Sequence, residues 1–80
     1  MTLFVDTNIF LRFFLNDHKT HSPAANRLFK EANKGKISLI TNSLIVAEII
    51  FTLDSFYKLS KQNIIEKIHA IMFFEGLEIL

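Results

Sequence analysis

The chain has 80 residues, nine basic against eight acidic side chains, and half of its residues are hydrophobic. So short a chain holds one small domain, and its wealth of apolar and aromatic side chains excludes a disordered tail. With no cysteine, one proline and two glycines, it has no disulfide staples or thiolate zinc sites, belongs to no low-complexity class, and fits a reducing compartment.

The opening Thr2-Leu3-Phe4-Val5 is a short apolar run without clean alternation, the pattern of a strand buried on both faces of a parallel sheet. Asp6-Thr7-Asn8 breaks the run with capping and turn residues, and Ile9 to Leu15 follows as one or two helical turns. Asn16 to His21 is a polar loop. Ser22 before Pro23 reads as an N-cap with proline at the first helical position, where its missing N–H costs nothing. The helix runs to about Lys34, with Ala24, Leu28 and Ala32 inward, flanked by Ala25 and Phe29, and with Gly35 as its stop.

Ile37 to Thr41 reads as a second strand. Asn42 or Ser43 caps a long apolar helix ending near Phe56. Ser60 caps another from Lys61 to about Phe74, with Ile64, Ile65, Ile68, Ile71 and Met72 on one face. Gly76 ends it, and Leu77-Glu78-Ile79-Leu80 is a third strand. The order β-α-α-β-α-α-β predicts an α/β fold with a parallel sheet and right-handed crossovers. The nine phenylalanines are assigned to the core.

Charge is uneven along the chain. Residues 1–36 hold six basic side chains (Arg12, Lys19, Arg27, Lys30, Lys34, Lys36) and three acidic ones, whereas residues 37–80 carry two more acids than bases. The front half is able to face phosphate, although a solvated helix face explains it equally. No apolar run approaches the ~18 residues of a membrane span, and no basic segment precedes Asp6 as a secretory signal would require, so a cytoplasmic protein is expected.

Two carboxylates stand out. Asp6 follows a buried strand where the chain turns into a helix, at the sheet rim where α/β folds bind ligands. There it serves either as a cap or, with the Thr7 hydroxyl and Asn8 amide beside it, as a hard-metal ligand. Glu48 lies amid Leu44-Ile45-Val46-Ala47 and Ile49-Ile50-Phe51, and a carboxylate so surrounded needs a partner, a metal or water. Thr52 and Ser55 share its face, so a narrow solvent stripe is the plain alternative. Its helix follows the second strand, which brings Glu48 near the rim that carries Asp6. Two carboxylates converging there suit Mg²⁺ or Mn²⁺. His18 and His21 read as a solvated loop pair, His69 as packing or surface, and Asp54, Glu66 and Glu75 as solvated. No phosphate-cradling glycine loop or nucleophile elbow is present.

Phe4-Val5-Asp6-Thr7-Asn8-Ile9-Phe10-Leu11 resembles the start of PIN-domain proteins, metal-dependent ribonucleases that include the VapC-type toxins of toxin–antitoxin pairs. Ser43-Leu44-Ile45-Val46-Ala47-Glu48-Ile49 is similar to that family's second acidic motif. The likeness continues through Phe56 to Ser60 and Ile64-Ile65 to Gly76 and Leu80. It implies a three-layer PIN-like fold, and three or four carboxylates around Mg²⁺ or Mn²⁺ that hydrolyse RNA phosphodiesters. Asp6 and Glu48 would be the first two of these acids, with Thr7, Asn8 and Ser43 in support. The family's remaining acids come from a later helix start and strand end, after Ile79. The resemblance therefore reads residues 1–80 as the N-terminal part of one PIN-like domain. It also implies an RNA substrate and, for a toxin, a cognate antitoxin. In the family's sheet the first strand is central, so Leu3-Phe4-Val5 is expected here at an open edge, with a second copy or a complementing chain as partner. The runner-up is a non-catalytic interaction module in which Asp6 and Glu48 are remnants.

Overall fold

Each helix of this chain begins where a side chain takes up the free N–H groups of its first turn. A computed structural model describes residues 1–80: β1 (Thr2–Phe4), α1 (Thr7–Leu15), α2 (His21–Asn33), β2 (Ser38–Thr41), α3 (Ser43–Ser55), α4 (Lys61–Met72) and β3 (Leu77–Ile79). Asp6 Oδ1 accepts from the Ile9 N–H at 3.2 Å, so α1 starts at Thr7, two residues earlier than expected. Asn42 Oδ1 accepts from Ile45 N–H at 2.9 Å, which makes Asn42, and not Ser43, the cap of α3. Ser60 Oγ accepts from Asn63 N–H at 3.2 Å ahead of α4.

The cap expected of Ser22 is a correction. α2 begins at His21, and the His18 imidazole does the capping: its Nδ1 accepts from the N–H groups of Thr20 and His21 at 3.3 and 3.0 Å. The His18 ring stacks on that of His21, centroids 4.2 Å apart. Ser22, the second residue of α2, is buried, its Oγ accepting from the His18 N–H at 3.1 Å. Because the helix starts earlier than Ser22 implied, the inner face is Ser22, Ala25, Phe29 and Ala32, with Leu28 half-buried, and Ala24 turns to solvent.

The sheet is parallel in the order β1-β2-β3, with Leu3 beside Leu39 and Leu39 beside Leu77. Both crossovers step the same way, and right-handed crossovers in one direction stack their helices on one face. Burial follows. Leu3, Val5, Leu39, Thr41, Leu77 and Ile79 turn toward the helices, while Thr2, Phe4, Ser38 and Glu78 alternate to the open side. The expectation that the first strand is buried on both faces is therefore corrected: residues 1–80 form two layers, a sheet and one cover of helices, only 17 Å deep along the shortest axis. β1 lies at an edge, as expected.

The core joins Val5, Leu39, Phe10, Leu11, Phe29, Ala32, Ile49, Leu53, Ile64 and Ile71. Phe13 stacks on Phe29 at 4.2 Å between centroids, and Phe74 meets Phe29 edge-on at 5.4 Å. Assigning every phenylalanine to this core is corrected for four of them: Phe4, Phe51, Phe56 and Phe73 are 52–83% exposed. They lie on the uncovered side of the sheet, on the outer face of α3 or at helix ends. On α4, likewise, Ile64 and Ile71 are buried whereas Ile65 and Met72 are exposed. The segment from Ile9 to Leu15 is buried or half-buried throughout.

Both glycines have positive φ, but only Gly76 is also crowded. A Cβ at Gly76 (φ +101°) would stand 2.4 Å from the Ala32 carbonyl oxygen, whereas one at Gly35 (φ +81°) would meet nothing. Gly35→Ala should cost about 1–2 kcal/mol for the left-handed backbone alone. Gly76→Ala must also displace α2 from the foot of β3. Thermal melts should show a clearly larger drop for Gly76→Ala, and equal drops would contradict this packing.

Candidate functional site

The rim at the carboxyl ends of β1 and β2 is built by two buried bonds. Val5 N–H donates to the Ile40 carbonyl at 2.8 Å, and the buried Thr41 hydroxyl donates to the Val5 carbonyl at 3.0 Å. Both groups of the residue before Asp6 are thus held, and the chain leaves the sheet at a fixed place. Asp6 then turns extended into α1.

Asp6 is exposed, with Oδ1 on the Ile9 N–H. The capping reading and the ligand reading of this residue are therefore compatible, because one oxygen suffices for the cap. Glu48 is exposed in the second turn of α3, and its Oε2 accepts from the Thr7 hydroxyl at 2.7 Å, across 41 residues of sequence. Thr7 follows Asp6 directly, so this bond brings the Glu48 carboxylate to the start of α1. The resemblance gave Thr7 a supporting place at the site; here its hydroxyl holds Glu48. Asn8 and Ser43 are exposed, Ser43 as the first residue of α3. Neither side chain bonds to Asp6 or Glu48.

Both carboxylates lie at the start of α1, Asp6 as its cap and Glu48 through Thr7, where the backbone dipoles favour negative charge. As donors they are hard oxygens reachable from solvent, a chemistry that suits Mg²⁺ or Mn²⁺ retaining several waters. They are two. No group of three or more His, Cys, Asp or Glu side chains converges anywhere in the chain.

Three features escaped the sequence. The Thr7–Glu48 bond had no signal beyond the polar residue after Asp6, and Thr41 looks like any strand threonine. Arg12, half-buried, donates to Asp17 and to the Tyr57 hydroxyl, both at 3.1 Å, and ties α1 to the segment after α3. The histidine pair is structural as well: His18 Nδ1 is committed to the α2 cap. His69 is exposed, edge-on to Phe73. No helix is long and apolar enough to cross a membrane.

A family model described as PIN domain matches residues 3–80. No curated protein and no solved structure matches the chain.

Asp6→Asn should leave stability nearly unchanged, because asparagine caps as well as aspartate, whereas Asp6→Ala should cost ~1 kcal/mol. Thr41→Val strands the buried Val5 carbonyl and should cost about 1–3 kcal/mol. Urea unfolding of the three variants checks the order; an Asp6→Ala variant as stable as the parent would refute the capping role.

Proposed function

The chain belongs to the PIN-domain family, and from that membership we propose that it is part of a metal-dependent ribonuclease whose site includes Asp6 and Glu48. At the level of the family, a nuclease-type function, dependence on a divalent metal and contact with RNA follow from membership. The finer reading is a VapC-type toxin, supported by the likeness of the Phe4–Leu11 and Ser43–Ile49 segments. The observation that carries the site is the 2.7 Å bond from Thr7 to Glu48, which holds the second carboxylate beside the helix start that Asp6 caps.

In this reading Asp6 and Glu48 hold a Mg²⁺ or Mn²⁺ ion. Such an ion, when bound, makes water a usable nucleophile near neutral pH and offsets charge on the phosphate. The chain's own residues do the positioning. The Asp6 oxygen not used by the cap faces solvent, Thr7 keeps one Glu48 oxygen fixed and leaves the other free, and the Thr41–Val5 bond keeps the rim rigid. Asn8 and Ser43 stand at the two helix starts as hydrogen-bonding groups for a phosphate or its water. With two carboxylates at the rim and no third, residues 1–80 form part of a larger acidic set and of a larger PIN-like domain.

We further propose that another chain covers the open edge of β1 and the exposed Phe4, a second copy being the simplest candidate and a cognate antitoxin the one a toxin requires. A parallel edge strand with an apolar side chain beside it is a template for pairing. One observation favours the alternative of a non-catalytic interaction module: each carboxylate already has a structural hydrogen bond, Asp6 as a cap and Glu48 with Thr7.

A Mn²⁺ titration followed by calorimetry separates the two readings. The site predicts binding on the order of millimolar, as two carboxylates allow, abolished by Asp6→Asn and weakened by Glu48→Gln. Binding indifferent to Asp6→Asn, or none at all, would leave the interaction module. Single-stranded RNA with Mn²⁺ should be cut slowly by the monomer; rapid cutting abolished by Glu48→Gln would mean that the acidic set is completed across a dimer. Light scattering at micromolar concentration should find a dimer, and a strictly monomeric, well-folded chain would contradict the pairing at β1.

A further inference from the structure

Away from the rim, the outer side of α2 carries cations and amides, with Glu31 as its one acid. Its buried side is Ser22, Ala25, Phe29 and Ala32. Arg27 and Lys30 on the opposite side, and Lys34 as the residue that follows the helix end, recur at three and four residues, all exposed. Helical rise spreads them over about 10 Å. Pro23, Asn26, Arg27 and Lys30 line a shallow depression of about 370 Å³.

The acids that could neutralise such a stripe each have another partner, Glu31 on α2 itself included. Residues 1–36 contain three acidic side chains: Asp6 caps α1, Asp17 pairs with Arg12 at 3.1 Å, and Glu31 pairs with Lys36 at 3.6 Å. Arg27, Lys30 and Lys34 form no ion pair. The front-half charge surplus is thus concentrated on one helix face.

We propose that this face of α2 is a second RNA contact, a track that holds the phosphate backbone without reading sequence. The proposal rests on the ribonuclease reading for its choice of polyanion. A strand stacked as in a duplex carries one phosphate per ~3.4 Å of axis, so about three phosphates match the three cations. The track also has a direction. Ala32 packs against Gly76 at the foot of β3, which places the lysine end of α2 at the opposite edge of the sheet from Asp6. An RNA that reaches both the rim and the stripe crosses the helix layer, so the track selects strands several nucleotides longer than the cut site needs.

Fluorescence anisotropy of the full chain with a labelled single-stranded RNA of about 20 nucleotides, in EDTA, tests this. Three neutralised phosphates give a log–log salt slope of about −2, a loss of about 20-fold in affinity between about 50 and 200 mM salt. In the triple variant Arg27→Ala, Lys30→Ala, Lys34→Ala, binding should weaken at least tenfold at the lower salt and the slope should flatten by about 2. These side chains are exposed, and circular dichroism together with the single variant Lys30→Glu guards against a folding defect. An unchanged slope in the triple variant, or no RNA binding by the parent chain, overturns the proposal. So does a labelled polyglutamate peptide that binds more tightly than RNA and is lost in the same variant, which would make the face a docking site for an acidic protein. The assay is run in EDTA, so no metal at Asp6 and Glu48 contributes to what it reads. The stripe therefore fails or stands independently of the Mn²⁺ titration that tests the carboxylate site.

Discussion

A right-handed crossover from β1 to β2 followed by another in the same direction from β2 to β3 decides where every helix of this chain lies. Parallel strands joined in that sense send their connections over the same face. The four helices therefore share one apolar cover, the strands alternate between core and open side, and the starts of α1 and α3 meet along one rim. Asp6 and Glu48 come together for that reason. They belong to different crossovers, and only the pairing of β1 with β2 sets the two helix starts side by side.

Local signals were the legible part. Asp6, Asn42 and Ser60 each cap a helix, because a cap needs only a side-chain oxygen and an N–H three residues on. Gly35 directly follows the end of α2 for an equally local reason, the left-handed backbone, whereas α4 ends at Met72 with Phe73 as its cap and Gly76 turns the chain into β3 instead. The carboxylates at positions 6 and 48 were legible because charge in an apolar run is anomalous. What the sequence concealed depends on partners far along the chain. Hydrophobic spacing shows that Phe51 and Ile65 lie on helix faces, but not whether anything covers those faces. Ser22 before Pro23 satisfies every local rule for a cap, and yet an imidazole four residues earlier takes the role. The hydroxyl of Thr7 could have served Asp6, its neighbour, and bonds instead to a residue 41 positions away.

The surface divides by chemistry. The rim is acidic and lies at helix N-termini, which lend partial positive charge to whatever anion settles there. The outer side of α2 is basic, and the uncovered side of the sheet and the outer face of α3 are apolar, with Phe4, Leu44 and Phe51. Even three exposed aromatic side chains forgo, at roughly 1.5–3 kcal/mol each, as much burial as the whole stability of a small domain. Acidic rim, basic helix face, apolar cover and open sheet fit on 80 residues because the helices occupy only one side.

The Thr7–Glu48 bond has a kinetic meaning too. The caps of α1, α3 and α4 close loops of three residues and form on the time scale of a helical turn. Joining Thr7 to Glu48 must await the docking of α3 and the parallel pairing of β1 with β2, whose partners stand 36 residues apart. Contacts of that range are slow because chain entropy is spent before they form. The Glu48 carboxylate therefore reaches the start of α1 only once contacts far apart in the sequence have formed, whereas each cap is complete within its own turn.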